Sequence, residues 1–148
     1  MQTFAQQAET WLRELEVRKR KPLSPASLRT FGAYVRRLTP MIGDMKLSGI
    51  TNGALKQLVQ RLHKQKLSPK TIAELVATVK QVIAYAVDDD GNQLFPRMWS
   101  AKHIDAPSIG KQHQPCLTLN ELETCIKDSR TDQERVFYAL LAGLGLCF

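Results

Sequence analysis

Leu67-Ser68-Pro69-Lys70-Thr71-Ile72 repeats the chemistry of an earlier stretch, Leu23-Ser24-Pro25-Ala26-Ser27-Leu28. In each, a serine stands where a helix is capped, a proline follows in the first turn, and a hydroxyl residue occupies the third helical position. Two helices are therefore predicted to open at Ser24 and Ser68. A helix start of this kind also suits a phosphate, because its free amides and the positive end of its dipole favour an anion. Local capping is the competing account of Ser27 and Thr71. The cations beside them, Arg29 and Lys70, favour capping combined with phosphate contact.

Outward from the first start, Leu28, Phe31, Val35, Leu38 and Ile42 line one face of a helix that Pro40 and Gly43 bring to an end. Its other face carries Arg29, Gly32, Ala33 and Arg36 in one stripe, because seven residues make nearly two turns. Two arginines separated by small residues form a trough that a sugar-phosphate backbone fits, and Arg37 widens it. The second start leads into Ile72, Leu75, Val76, Val79, Val82, Ile83 and Ala86, a helix predicted from Ser68 to about Val87. Asp88-Asp89-Asp90-Gly91 then ends it, with three acids set against the dipole. Calcium there has a weak case, since the rest of a calcium loop is absent.

Two more helices complete the front of the chain. Phe4, Ala8, Trp11, Leu12 and Leu15 predict one from Thr3 to about Val17, followed by the basic run Arg18-Lys19-Arg20-Lys21. Leu55, Leu58, Val59 and Leu62 predict another over Asn52–Gln65, with Lys56, Arg61 and Lys64 outward. Pro96, Pro107, Gly110 and Pro115 make residues 92–116 read as a connector. Beyond it, Thr118 and Glu121 form a capping box, and a last helix is predicted from about Asp132 to Leu144. No stretch has the period of a strand.

Charge divides the chain. Residues 1–70 hold 14 Lys/Arg against 4 Asp/Glu, and residues 71–148 hold 7 against 10, so the net charge of +7 belongs to the front half. Such a surface points to a polyanion, nucleic acid before membrane, because side-by-side cations are rewarded by counterion release. Cys116, Cys125 and Cys147 lack metal-ligand spacing and are odd in number, so neither a zinc site nor a disulfide framework is expected. His63, His103 and His113 form no metal pattern, and no cofactor is expected. No stretch approaches the ~20 apolar residues of a membrane span. A cytoplasmic, nucleoid-associated protein is the expectation.

The chain resembles the tyrosine recombinases, the phage-integrase family. The likeness is carried by Trp11-Leu12, Ser24-Pro25-Ala26-Ser27-Leu28-Arg29-Thr30 with Tyr34, Ile42-Gly43, Ile50-Thr51, Leu67-Ser68-Pro69-Lys70-Thr71-Ile72 and Ala84-Tyr85-Ala86-Val87. Past the connector, Leu117-Thr118-Leu119-Asn120-Glu121-Leu122 is similar to the opening of the family's catalytic domain. The resemblance implies an all-α fold: a four-helix SAM-like core-binding domain at 1–90, a linker at 91–116, and the truncated start of a catalytic domain at 117–148, a short helical stub. It also implies that the second and fourth helices face double-stranded DNA. The residues expected to touch it are Ser27, Arg29, Thr30, Arg36, Arg37, Lys70 and Thr71.

One departure from the family bears on activity. Leu140-Leu141-Ala142-Gly143-Leu144-Gly145-Leu146-Cys147 is similar to the family segment that leads to the first catalytic arginine, and Cys147 stands at the arginine position. Cysteine has no fork with which to grip a phosphate through two hydrogen bonds. The nucleophilic tyrosine and the other active-site groups would lie beyond Phe148. The expectation is therefore a DNA-binding module that is not itself an enzyme. The alternatives are the N-terminal fragment of an active recombinase, or a helical interaction module. In the latter, Val136, Phe137, Leu140 and Leu141 would mediate self-association or contact with a full-length recombinase.

Overall fold

The computed structural model describes residues 2–110 and 117–144, Leu144 by its backbone only. Among these the chain is all-α: α1 (Phe4–Val17), α2 (Pro25–Ile42), α3 (Asn52–Lys64), α4 (Pro69–Ala84), α5 (Ala101–Ile104), α6 (Leu119–Lys127) and α7 (Asp132–Leu144), with a 3-10 turn at Leu47–Gly49. Only isolated bridges, Thr3 with Lys46 and Val87 with Gln93, interrupt the helical pattern. The chain forms two compact units that divide after Gly110.

In the first unit α4 packs against α1, α2 and α3. Its apolar positions Ile72, Leu75, Val76, Val79, Val82 and Ile83 are all buried, and so is Thr78, whose hydroxyl donates to the Glu74 carbonyl at 2.8 Å. A buried hydroxyl must find an acceptor, and its own helix supplies one. Phe4, Trp11 and Leu15 of α1 and Val35, Leu38 and Ile42 of α2 join the same core. Trp11 meets Phe31 edge to face, with ring centroids 5.3 Å apart, so both rings serve packing.

The start of α1 is tied to the far end of α2. The Phe4 amide donates to the Met45 carbonyl at 2.9 Å and the Ala5 amide to the Gly43 carbonyl at 3.0 Å, which satisfies two donors that a helix N-terminus leaves open. Gly43 is required at that junction: a Cβ there would collide with the Thr39 carbonyl oxygen.

α4 ends at Ala84, earlier than its apolar period predicts. The chain turns because the Leu94 amide pairs with the Ala86 carbonyl at 2.8 Å and the Asp88 carboxylate accepts the amides of Asp90 and Asn92 at 3.0 and 2.8 Å. An aspartate that satisfies amides two and four residues on favours a turn over further helix, and Gly91, at φ +84°, closes it. The three acids thus lie in the turn that ends the helix, as the sequence predicts, and that turn is hairpin-like. Tyr85 becomes the cap of α4 and is exposed.

Residues 92–110, which read as a connector, pack on the first unit instead. Asn52 at the start of α3 donates to the Met98 carbonyl and accepts from the Ser100 amide, both at 3.1 Å. Arg97 donates to the Ser48 carbonyl at 2.6 Å. α5 lies against α3 and Ile104 is 1% exposed. This strap belongs to the fold.

In the second unit α6 packs on α7. The Thr118–Glu121 capping box is present: the Thr118 amide donates to Glu121 at 2.7 Å, and the Glu121 amide to the Thr118 hydroxyl at 3.3 Å. The Thr118 amide, together with the Thr118 hydroxyl at 2.8 Å, donates to the Glu121 carboxylate and holds it below its ordinary pKa. No residue of α6 is buried, and Val136, Phe137 and Leu140 of α7 are more than half exposed.

Candidate nucleic-acid interface

The two repeated helix starts adopt one geometry. Ser24 (φ −66°, ψ 151°) accepts from the Ser27 amide, and Ser68 (φ −63°, ψ 149°) from the Thr71 amide, at 3.2 Å in both. The hydroxyl of the third helical residue then meets that of the cap, Ser27 with Ser24 at 3.0 Å and Thr71 with Ser68 at 2.8 Å. Ser27 and Thr71 are thus members of the cap, each spending one hydroxyl interaction within it. A hydroxyl has one donor and two acceptor positions, so an outward bond remains available.

Arg29, Arg36, Arg37 and Lys70 are exposed. Thr30 is also exposed, but its hydroxyl donates back to the Ala26 carbonyl at 3.0 Å. The trough at Gly32 is partly roofed by its own neighbour. The Arg36 Nη1 lies 3.9 Å from where a Gly32 Cβ would stand, so the guanidinium folds over the glycine rather than standing clear of it. A bidentate partner for Arg36 has to draw the side chain outward or meet it across the helix surface.

Like most cations among the described residues, those of this region have no ion-pair partner. The ion pairs among the described residues are Arg13–Glu9 in α1 and Arg135–Asp132 in α7. None involves the cations of α2 or α3, or Lys70 at the start of α4. Their charge is not neutralised from within. Long side chains without internal partners keep their full attraction for an external anion, diminished only by salt.

Comparison with protein-family models, with curated proteins and with solved structures returned no match. The candidate interface therefore rests on the chain's own residues.

Two lysines of the basic front half, Lys21 of the run 18–21 and Lys66, have a backbone conformation that the sequence does not signal. Lys21 and Lys66 adopt left-handed backbone, with φ of +55° and +57°. Each stands just ahead of a Leu-Ser-Pro start, Lys21 with Pro22 between. Lys66 ends α3 in the place that glycine usually takes, its amide donating to the His63 carbonyl at 2.9 Å. Lys21 is braced by Arg18, whose Nε donates to the Lys21 carbonyl at 3.0 Å with Nη2 beside it. The basic run 18–21 is thus a shaped turn. The only available hint was Lys where Gly is the easier residue, which a composition scan does not weigh.

Among the described residues no cluster of three or more His, Cys, Asp or Glu is arranged to hold a metal. Asp88, held below its ordinary pKa mainly by Asn92, spends its carboxylate on the turn. No helix there is long and apolar enough to cross a membrane. Cys125 is half-buried, while Cys116 and Cys147 lie outside the described residues.

Proposed function

We propose that the first unit binds double-stranded DNA through the starts of α2 and α4 and the arginine face of α2, as the core-binding half of an integrase-like protein does. One observation carries it: exposed Arg29, Arg36, Arg37 and Lys70 have no ion-pair partner among the described residues. Lys21 and Lys66 extend the basic surface at the two approaches. Contacts of this kind grip phosphate and ignore base identity, so affinity falls steeply with salt and sequence preference is low. Binding without strand cleavage is the proposed activity, in keeping with Cys147 at the position where the resembled family places an arginine.

The test is duplex affinity measured by anisotropy between about 50 and 200 mM salt. A loss of affinity with a steep, linear log–log slope supports the proposal. Undetectable or salt-independent binding overturns it.

One observation favours a protein partner for the second unit, namely the exposure of Val136, Phe137 and Leu140 on α7. If that face pairs two copies of the chain, light scattering shows a mass that rises with concentration and is reduced by Val136→Asp with Leu140→Asp. A strict monomer excludes the pairing.

A further inference from the structure

The strap from Gln93 to Trp99 and the second half of α4 border a groove that duplex binding does not use. Lys80, Gln81, Gln93, Phe95, Arg97 and Trp99 line it, with no carboxylate among them. The Lys80 ammonium stands 5.8 Å from the centroid of the half-buried Trp99 ring. Arg97 is anchored through Nη2 to the Ser48 carbonyl at 2.6 Å, while its Nε is buried with no acceptor. A flat aromatic ring and two cations thus border one cleft. The strap that carries them is fixed by the two bonds from Asn52.

We propose that this groove binds an unpaired nucleotide, with its base stacked on Trp99 and its phosphate held by Lys80 and Arg97. Stacking a base on an aromatic ring is worth more than an exposed cation–π contact, so Lys80 leaves the ring for the phosphate at a net gain. The side-chain amides of Gln81 and Gln93 in the lining each offer donors and an acceptor to a base edge. Bases within a duplex are stacked on one another, so the ligand is a single strand or a frayed end. Because the strap is pinned beforehand, little ordering entropy opposes binding. The groove does not rest on the duplex proposal, since it uses none of the residues named there.

The experiment titrates the full chain carrying Arg29→Ala and Arg36→Ala, so that the duplex face is weakened, with an oligothymidylate of about ten nucleotides. Tryptophan emission reports binding: Trp11 is 3% exposed and shielded, whereas Trp99 is not. The expected result is saturable quenching. By anisotropy of a labelled oligonucleotide, Trp99→Leu weakens binding about tenfold or more and Trp99→Tyr restores most of it. Lys80→Met, at an unchanged circular dichroism spectrum, also weakens it. Unchanged emission, native affinity in both Trp99→Leu and Lys80→Met, or competition by inorganic phosphate as effective as by thymidine monophosphate would each overturn the proposal. Failure here leaves duplex binding by the native chain untouched, so the two proposals fall separately.

Discussion

The starts of α2 and α4 share a sequence, a pair of cap dihedrals and a pair of cap bonds, yet the helices they open have different fates. α4 is enclosed by three neighbours and buries residues on several sides, Thr78 included. α2 buries Val35, Leu38 and Ile42 and turns Arg29, Arg36 and Arg37 to solvent. A cap is local, decided by side chains three residues apart. How much of a helix faces water depends on what is packed around it. The same N-terminus therefore begins a central core element in one case and a charged surface element in the other.

Substitutions that separate core from surface have the largest expected effect. Leu75→Ala in α4 should cost about 2–5 kcal/mol in urea unfolding, as for any large side chain removed from a closed core. Leu28→Ala at the half-buried start of α2 should cost clearly less. Equal losses would show that the two helices are equally enclosed.

Next comes the charge face. Arg29→Ala with Arg36→Ala should weaken duplex binding on every sequence and reduce the salt slope by about two, whereas Lys70→Ala should reduce it by about one. An unchanged slope in the double variant would move the interface away from α2.

The caps themselves should behave alike. Ser24→Ala and Ser68→Ala are each expected to cost about 1 kcal/mol, measured by thermal or urea unfolding, because both remove the same bond in the same geometry. A marked difference would mean that one cap serves tertiary contacts as well.

A smaller, opposite effect is expected at the approach to α4. Lys66→Gly should raise stability by about 0.5–1 kcal/mol, since glycine adopts the left-handed conformation without penalty. It should also weaken duplex binding. Stability gained together with binding lost would mark Lys66 as kept for its charge.

The smallest effect is on pH. Asp88 and Glu121 both have carboxyl pKa values lowered by hydrogen bonds to the ionised form. A depressed folded-state pKa gives stability that is present above the unfolded value and lost as pH falls through the folded one. The turn at 88–92 and the α6 cap should therefore loosen below about pH 4, seen as shifts of the Asn92 and Thr118 amides in NMR spectra. Asp88→Asn should remove the first response and leave the second.

Much of the helical order was legible from the chain. The four long helices of the first unit begin where Thr3, Ser24, Thr51 and Ser68 predict, each of which accepts a backbone amide. The period of Ile72 to Ile83 correctly marks the buried face of α4. It runs on to about Val87, past Ala84 where the helix ends because Asp88 draws the chain into a turn. Within the candidate interface, the exposure of Arg29, Arg36, Arg37 and Lys70 agrees with the wheel. The roofing of Gly32 by Arg36 and the left-handed Lys21 and Lys66 depend on side-chain and backbone torsions that a residue pattern does not encode.

By itself the sequence determined where the long helices of the first unit start and which of their faces are apolar, because each follows from side chains within about one or two turns of one another, and it showed which half of the chain is basic; α5 it did not show. Only the tertiary structure decided that residues 92–110 are a docked strap, that Asn52 and Ser48 hold it, and that Lys80 meets Trp99. The Asn52–Met98 and Ser48–Arg97 bonds join residues 46 and 49 positions apart. Partners so distant are brought together by the packing of a common core, to which no local spacing points.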